Sequence, residues 1–331
     1  MALVPMRLIL DQAEQGGYGV GAFNVNNMEQ LQAIMSAARA ACSPVILQAS
    51  RGALAYTNLV YLRHLVAAAD EDNPEIKIAL HLDHGNSLDV AKTAIGLGFT
   101  SVMIDGSLDA DGTTPRSFES NVEITRNVVE YAHPRGVTVE GELGTLGGIE
   151  EDVAADEVHL TDPDQVEAFV ARTGVDALAV AIGTSHGAYK YRAEPELALD
   201  LVAEIHQRVP DVRLVMHGAS SVPQRYIEEI NRLGGDMPNA RGTPIASIQR
   251  AIGYGIRKIN VDTDSRLAIT ATIRRVFAEA PGKFDPRDYL GPAREEMTKL
   301  IRGKMEAFGS GGHNDDYDPL TLADTQQAYT S

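Results

Sequence analysis

Short apolar segments and segments with helical spacing alternate eight times along the chain, and this feature limits the fold most strongly. The strand-like segments are residues 19–25, 44–49, 76–82, 100–104, 136–143, 177–182, 212–216 and 256–261. Helical spacing follows them over residues 28–41, 58–69, 89–97, 117–132, 164–173, 196–208, 223–233 with 245–254, and 265–278. Parallel strands need such crossover helices, so the pattern predicts an α/β fold, the closed (β/α)8 or TIM barrel.

A competing fold, the open doubly wound sheet, would place a glycine-rich phosphate motif directly after the first strand. The glycine-rich stretch GGYGVGAFN instead precedes and enters that strand, so the barrel is favoured. We predict a single barrel domain over residues 1–308, including an extra terminal helix at 292–308. Residues 309–331 are polar and poor in core-forming side chains. We expect this C-terminal tail to be loosely held or to pack on a partner subunit.

The charge balance narrows the classes of partner. The 331 residues include 29 basic and 46 acidic ones, a formal net charge of −17. This charge argues against nucleic acid or an anionic membrane as the main partner. The single cysteine, Cys42, excludes an internal disulfide and a CxxC zinc site. The N-terminus lacks a signal-peptide pattern, and no apolar run reaches the ~18 residues of a membrane span. We therefore expect a soluble cytoplasmic protein.

Polar residues stand at or just after the end of nearly every predicted strand. They are Asn24, Ser50, Asp83 with His84, Asp105, Glu142, His186, His217, and Asn260 with Asp262. In such barrels the active site is built from these positions at the C-terminal rim, so residues scattered in sequence converge in space. Chains also leave the core at strand ends, which explains polar residues there. It does not explain three histidines among eight strand ends.

The third strand ends in the sequence His-Leu-Asp-His-Gly. Alternate side chains of a strand share a face, so His81 and Asp83 point one way and His84 points the other. His84 can join Asp83 only if the chain bends after Asp83, and the Gly85-Asn86 pair permits such a bend. We therefore read His81 as an inward-facing supporting residue rather than a metal ligand.

The remaining histidines separate into a surface group and a candidate metal group. The surface group lies in predicted helices, the long loop and the tail: His64, His133, His159, His206 and His313. The candidate ligands are His84, His186 and His217. Three imidazoles with an open fourth position suit a catalytic Zn²⁺ ion, which can polarise a substrate carbonyl.

A glycine follows each of the two later histidines, in the segments GTSHGAYK and MHGASS. Glycine lets backbone amides approach an anion closely, and Lys190, Ser220 and Ser221 add hydrogen-bond donors. Thr263 stands at a predicted helix start, where the amides and the helix dipole also favour phosphate. The sequence therefore predicts a phosphate site beside the metal, which would let an acidic protein hold an anionic substrate.

With these residues assembled, the chain resembles the class II, metal-dependent fructose-1,6-bisphosphate aldolases, in particular the subtype associated with the Calvin cycle. The resemblance covers about residues 1–308. It rests on seven motifs in order: GAFNVNN, HLDHGNS, VEGELGTLGG, GTSHGAYK, MHGASS, KINVDTDSR and FDPRDYL. It implies a lyase that cleaves fructose 1,6-bisphosphate reversibly to dihydroxyacetone phosphate and glyceraldehyde 3-phosphate, as in glycolysis and gluconeogenesis.

The resemblance also implies roles for individual residues. His84, His186 and His217 match the zinc ligands, and Asp105 and Glu142 match carboxylates that hold the metal in an alternative position. Asp83 matches the acid/base on the C4 oxygen of the ketose, and Asn260 matches the asparagine that steadies the enediolate. The residues that match substrate contacts are Asn24, Ser50, Gly187, Lys190, Gly218, Ser220, Asp262, Thr263, Arg266 and Arg287. Relatives also bind a monovalent cation, Na⁺ or K⁺, at the ketose phosphate site.

Two implied features concern mobile or distant groups. Arg287 resembles an arginine that reaches the distal phosphate in the neighbouring active site, so a homo-oligomer, a dimer or a tetramer, is implied. The long loop should supply a glutamate that removes the C3 proton of dihydroxyacetone phosphate. Counting along GGIEED leaves Glu150 and Glu151 open, with Glu151 preferred.

Other functions are compatible with part of this pattern. A Schiff-base aldolase would use Lys258, which shares a strand face with Asn260, but would leave three histidines without a role. A metal-dependent sugar-phosphate epimerase on the same barrel would need no second phosphate site. A non-catalytic binding protein would be expected to lack Asp83 or a histidine ligand. No motif separates fructose bisphosphate from tagatose or sedoheptulose bisphosphate as substrate.

Overall fold

The computed structural model describes residues 3–109, 114–145, 147–150, 153–155, 159–189, 197–317 and 321–330. The strands in these residues are β1 (Val20–Asn24), β2 (Val45–Ser50), β3 (Ile78–Gly85), β4 (Ser101–Ile104), β5 (Thr138–Leu143), β6 (Gly147–Glu150), β7 (Val153–Ala155), β8 (Ala177–Val180), β9 (Ser185–His186), β10 (Arg213–Met216) and β11 (Ile256–Val261). Eight of them form a closed parallel barrel in the order β1-β2-β3-β4-β5-β8-β10-β11. The predicted α/β barrel is confirmed.

Thirteen α-helices lie within the described residues. They are α1 (Met6–Gly16), α2 (Met28–Ala41), α3 (Arg51–Thr57), α4 (Leu59–Asp72), α5 (Leu88–Gly96), α6 (Phe118–Ala132), α7 (Pro163–Thr173), α8 (Leu199–Arg208), α9 (Gln224–Arg232), α10 (Ile245–Gly253), α11 (Thr263–Glu279), α12 (Pro286–Phe308) and α13 (Leu322–Thr330). A short 3₁₀ helix, His133–Arg135, follows α6. None of these helices is long and apolar enough to span a membrane.

Small side chains point into the barrel and leave room for the first helix. Ala22, Ala79 and Ala177 from three strands share one buried cluster with Ile9 and Leu10 of α1. α1 therefore closes one end of the barrel and fills the interior at that end with apolar side chains. Burial of an aliphatic side chain contributes about 1.5–3 kcal/mol, so the buried side chains of α1 stabilise the end of the barrel where the strand residues are small. α1 was not among the helices predicted from the sequence.

A larger apolar core lies between the strands and the surrounding helices. Phe169 of α7 is fully buried there and packs against the strand face at Gly141, where an added Cβ would lie 3.1 Å from the ring. Leu47 of β2 and Val180 of β8 belong to the same core. The strand residues that face the helices are thus mainly apolar. Polar strand residues also lie beside α1, where Ser101 Oγ is 3.5 Å from Met6 Sδ.

Several predicted boundaries were wrong. α12 begins at Pro286, six residues before the predicted start at 292, because Asp285 caps it by accepting from the Arg287 N–H group at 3.0 Å. Pro286 takes the first helical position, and Pro292 is accommodated inside the helix. α3 was not predicted. The segment read as one long loop contains a two-stranded antiparallel ladder between β6 and β7.

The described part of the tail packs on its own chain rather than being loosely held. Asn314 is 3% exposed, accepts from the Lys77 N–H at 2.9 Å and donates to the Glu75 carbonyl at 2.8 Å. In α13 the Tyr329 hydroxyl donates to Asp176 at 2.7 Å, and its ring stacks on His133 with the ring centroids 3.8 Å apart. These contacts attach residues after 309 to the barrel.

Candidate active site

The end of β3 carries the bend that the sequence suggested. His84 adopts a left-handed backbone conformation with φ +48°, and the pairing register with β4 shifts between Leu82 and Gly85. The bend therefore lies at His84 itself. Gly85 is required beside it, since an added Cβ would lie 2.5 Å from the Met103 carbonyl oxygen. This local geometry allows two successive residues, Asp83 and His84, to serve one site.

The three candidate histidine ligands converge at this rim. His84, His186 and His217 are all buried, and each offers a ring nitrogen within 4.8 Å of the others. The ring centroid of His84 lies 5.2 Å from that of His186 and 4.8 Å from that of His217. His186 comes from β9, a short strand that pairs with β6 outside the barrel. Three distant segments of sequence therefore meet as predicted.

Hydrogen bonds set which nitrogen of two histidines faces the site. His217 Nε2 lies 2.9 Å from Glu140 Oε1, and His84 Nδ1 lies 3.4 Å from Asp105 Oδ2. If both of these nitrogens donate, the lone pairs of His217 Nδ1 and His84 Nε2 face each other at 3.1 Å. Two acceptor nitrogens at this distance repel each other unless a proton or a metal ion lies between them.

A second group of donors adjoins the first. His84, Asp105 and Glu142 each offer a ligand atom within 4.8 Å of the others. Burial and the charge of Asp105 raise the pKa of Glu142 well above its ordinary value. Burial disfavours a charged His84, but Asp83, the hydrogen bond with Asp105 and Glu142 outweigh it and raise the pKa of His84. Both shifts reflect the negative potential of the clustered carboxylates, which attracts a cation.

These residues fit a metal ion such as zinc. Two nitrogens bound to one tetrahedral Zn²⁺ at 2.0–2.1 Å lie about 3.3 Å apart, close to the observed separation of His217 Nδ1 from His84 Nε2. Glu142 Oε2 is buried and has no hydrogen-bond partner among the described residues. A buried carboxylate oxygen without a donor is costly unless a cation satisfies it.

Asp83 is held by two amide groups. Gln48 Nε2 donates to Asp83 Oδ2 at 3.1 Å and to Asn24 Oδ1 at 2.6 Å. Asn260 Nδ2 donates to Asp83 Oδ1 at 3.3 Å. Asp83 is only 1% exposed, so these bonds fix both of its carboxylate oxygens next to the histidines. Sequence reasoning missed Gln48, although it shares a strand face with Ser50.

A buried ion pair lies beneath these groups and was also missed. Lys258 and Glu140 are fully buried, with Lys258 Nζ 2.9 Å from Glu140 Oε2. Burial raises the pKa of the Glu140 carboxyl, but the charge of Lys258 and the His217 hydrogen bond outweigh it and keep Glu140 ionised. Lys258 also donates to Asn260 Oδ1 at 2.8 Å. An ammonium group committed to these two acceptors is poorly suited to form a Schiff base.

The glycines predicted to admit phosphate adopt the expected backbone. Gly187 and Gly218 have φ values of +81° and +64°. An added Cβ at Gly218 would lie 2.5 Å from the Ser185 carbonyl oxygen, so only glycine fits. Ser220 Oγ accepts from the Asp262 N–H at 3.2 Å, which joins the loop after β10 to the start of α11. Thr263 is the first residue of that helix, as its sequence suggested.

The remaining predicted site residues bond to other protein groups or lie outside the described residues. Arg266 Nε donates to Asp262 Oδ1 at 2.9 Å. Ser50 caps α3, accepting from the Ala53 N–H at 3.2 Å. The Arg287 side chain is 90% exposed and pairs with Asp285. The predicted site residues that lie outside the described part of the chain are Lys190, Glu151 and the side chain of Glu150.

Comparison with known proteins agrees with this geometry. The family model described as fructose-bisphosphate aldolase class-II matches residues 4–313. A fructose-bisphosphate aldolase of Giardia intestinalis is 55% identical over 331 residues, covering 99% of this chain and 100% of that protein. One from Xanthobacter flavus is 51% identical over 346 residues, covering 100% of this chain and 98% of that protein.

A solved structure extends the agreement to the fold. The YdjI aldolase from Escherichia coli K12 superimposes with a TM-score of 0.75 at 31% identity, covering 95% of this chain and 100% of that chain. A family match over almost the whole barrel, relatives of equal length and the same fold all point to one conclusion. The chain belongs to the class-II fructose-bisphosphate aldolase family and is an aldolase, a lyase.

Proposed function

We propose that the protein cleaves fructose 1,6-bisphosphate reversibly to dihydroxyacetone phosphate and glyceraldehyde 3-phosphate, using Zn²⁺. The observation that carries this proposal is the buried meeting of three histidines beside Asp83, in a chain of this family. The relatives named fructose-bisphosphate aldolase match the chain from end to end, which supports the same substrate.

The metal would be held by His84, His186 and His217, with Asp105 and Glu142 able to hold it in a second position. When bound, Zn²⁺ would polarise the ketone and stabilise the negative charge that develops on its oxygen. The protein's own contribution is to fix the imidazoles. Glu140 and Asp105 orient His217 and His84, and such outer partners strengthen metal binding.

Asp83 would take the proton from the C4 oxygen in cleavage and return it in aldol addition. Its two oxygens already accept from the Gln48 and Asn260 amides, which holds the carboxylate in place without neutralising it. The Asn260 amide nitrogen points into the site because Lys258 occupies its oxygen. Asn260 would therefore be able to donate to an oxyanion in the enediolate without reorienting, the arrangement that electrostatic catalysis requires.

A second base must remove the C3 proton of dihydroxyacetone phosphate in the addition direction. We assign this role to Glu151, with Glu150 as the alternative; both follow Gly148, which pairs with His186. Glu150→Gln and Glu151→Gln would be tested separately for exchange of the C3 proton of dihydroxyacetone phosphate with deuterated water. The variant that loses this exchange identifies the base. Exchange that survives both changes would exclude both residues.

The phosphate groups would be bound by backbone and side-chain donors on the loops after β9 and β10. Gly187, Gly218 and Ser220 would meet one phosphate, with Asp262 and Thr263 at the helix start. Lys190 and Arg266 would add positive charge, and Asn24 and Ser50 would contact the rest of the substrate. A Na⁺ or K⁺ ion would bind beside this phosphate. An unchanged KM in tetramethylammonium buffer would exclude that ion.

Substrate range and location complete the proposal. Tagatose bisphosphate differs from fructose bisphosphate only in C4 configuration, and sedoheptulose bisphosphate has a longer chain. We expect fructose bisphosphate to be the main substrate, with slower turnover of sedoheptulose bisphosphate. Comparing turnover of the three compounds decides this preference. The single cysteine and acidic charge agree with the cytoplasm, which cell fractionation would test.

We infer a homo-oligomer, dimer or tetramer, in which Arg287 reaches the neighbouring active site. Arg287 is 90% exposed, and Phe284 three residues earlier is 89% exposed. Aromatic residues and arginine are both enriched at protein interfaces. Light scattering would measure the number of subunits in the oligomer.

Metal removal should abolish cleavage of fructose 1,6-bisphosphate. EDTA followed by gel filtration should leave no turnover, and Zn²⁺ should restore it, because the metal supplies most of the stabilisation of the charge on the ketone oxygen. A coupled assay for dihydroxyacetone phosphate measures the rate, and protein treated with zinc-saturated EDTA is the control. Full turnover by protein that elemental analysis finds free of metal would contradict the proposal.

Asp83→Ala should lose cleavage while keeping zinc. Loss of a general acid/base costs about 10²–10⁴-fold in rate, whereas the three histidines remain. Asp89→Ala, at a carboxylate 94% exposed, is the matched control and should behave as wild type. Zinc content is measured by mass spectrometry. If Asp83→Ala cannot hold zinc, the division of duties between Asp83 and His84 is wrong.

Arg287→Ala should raise the KM for fructose 1,6-bisphosphate about tenfold or more, since a charged hydrogen bond to phosphate is lost. Mixing Arg287→Ala with Asp83→Ala subunits should restore sites that combine an intact Asp83 with an intact Arg287 from the neighbour. Arg302→Ala, at another exposed arginine of α12, is the control. An unchanged KM would exclude Arg287 as a contact to the second phosphate.

A further inference from the structure

The turn that follows the predicted phosphate loop is strained. Val222 has a φ of +48°, a conformation that valine, with its branched Cβ, rarely adopts. The next residue is Pro223, which further restricts the backbone before it. Val222 is also 1% exposed, so its side chain cannot move out to relieve the strain. Surrounding contacts must therefore impose this backbone conformation.

Asp264 supplies those contacts from the first turn of α11. Its Oδ1 accepts from the Val222 N–H at 2.7 Å. Its Oδ2 accepts from the Ser221 N–H at 2.8 Å and from the Ser221 hydroxyl at 3.0 Å. One carboxylate thus takes three hydrogen bonds from two successive residues of the turn. Asp264 itself is fully buried, which leaves it no solvent to compete for these bonds.

Lys304 completes the arrangement from α12. Its ammonium group pairs with Asp264 Oδ2 and donates to Ser221 Oγ at 2.8 Å, and the residue is only 3% exposed. Burial would raise the pKa of the Asp264 carboxyl, but the charge of Lys304 outweighs this effect and lowers it. A lysine 40 residues away in sequence, on a different helix, therefore holds the carboxylate in its ionised, bond-accepting form.

The clamped turn is continuous with the loop that would bind phosphate. Ser220 precedes Ser221 directly, and its carbonyl accepts from the Thr243 N–H at 3.0 Å. Thr243 Oγ1 donates to the Gly218 carbonyl at 3.0 Å. The adjacent Gly242 packs so closely that an added Cβ would lie 2.4 Å from the Ser220 carbonyl oxygen. Fixing residues 221 and 222 therefore fixes the direction of the preceding amides.

We propose that Asp264 and Lys304 are positioning residues for phosphate: the buried pair holds the Ser221–Val222 turn and thereby sets the geometry of Gly218 and Ser220. The inference rests on the proposed function, because that function makes Gly218 and Ser220 part of the phosphate site. Neither Asp264 nor Lys304 needs to touch the substrate for this role.

Inorganic phosphate is the probe, because it reports on the anion site without turnover. Isothermal titration calorimetry on zinc-loaded protein would measure its Kd for wild type, Lys304→Met and Lys299→Met. Lys304→Met should weaken phosphate binding about tenfold or more, since small displacements of positioned donors are costly. Lys299→Met is the matched control: this lysine lies on the same helix with a side chain 72% exposed, and its loss should change nothing.

Kinetics separate positioning from general damage. In Lys304→Met the KM for fructose 1,6-bisphosphate should rise with the phosphate Kd, while kcat stays within about threefold of wild type because Asp83 and the histidines are untouched. Zinc content should equal that of wild type. A fall in kcat with unchanged KM and Kd would assign Lys304 a merely structural role.

A double variant guards against loss of folding. Lys304→Met alone leaves a buried carboxylate unpaired, whereas Asp264→Asn with Lys304→Met removes both charges and should recover the unfolding temperature. Its phosphate affinity should stay weak, because the single oxygen of an asparagine amide cannot accept from all three donors. Wild-type affinity in the double variant would overturn the inference.

The outcomes also separate this inference from the proposed function. Equal phosphate affinity in wild type and Lys304→Met, including no measurable affinity in either, overturns the inference whatever the cleavage activity. A wild-type protein that binds phosphate but does not cleave fructose 1,6-bisphosphate overturns the proposed function. In that case a loss of affinity in Lys304→Met would still support the positioning role.

Discussion

The buried ion pair between Glu140 and Lys258 is the interaction on which the site depends. Glu140 receives the His217 ring N–H, and Lys258 orients the Asn260 amide that in turn contacts Asp83. Burying two charges costs several kcal/mol per ion unless each is paired and hydrogen bonded. Here the pair is satisfied by the groups it positions, so one contact couples the candidate metal ligands to the candidate acid/base.

The barrel makes such a pair possible by dividing its interior into two layers. At one end, small strand residues such as Ala22 and Ala79 accommodate the apolar face of α1. Farther from α1, other strands carry Gln48, Glu140 and Lys258, which are polar or charged and still buried. The apolar layer excludes water at the α1 end of the barrel, which strengthens the electrostatic interactions among the polar residues at the other end. Fold and chemistry therefore depend on the same alternation of strand residues.

Much of the site could be predicted because strand ends are visible in sequence and a parallel barrel brings them together. Gln48 and Glu140, the inward residues one step earlier on β2 and β5, were missed, although Glu140 and Glu142 obey the two-residue period of β5. A charged residue inside an apolar strand is the signal that could have found them. The bend at His84 was expected, but its left-handed backbone depends on close packing with β4. α1 was missed because its burial depends on the closed barrel, and clamp residues such as Lys304 depend on contacts between distant helices.

The buried histidines His84, His186 and His217 are expected to form one metal site. Anomalous scattering from crystals of the zinc-loaded protein, collected at the zinc absorption edge, tests it most directly. We expect a single strong peak about 2.0–2.1 Å from one nitrogen each of His84, His186 and His217. The absence of a peak between these rings, or a metal that has neither His186 nor His217 as a ligand, would contradict the account.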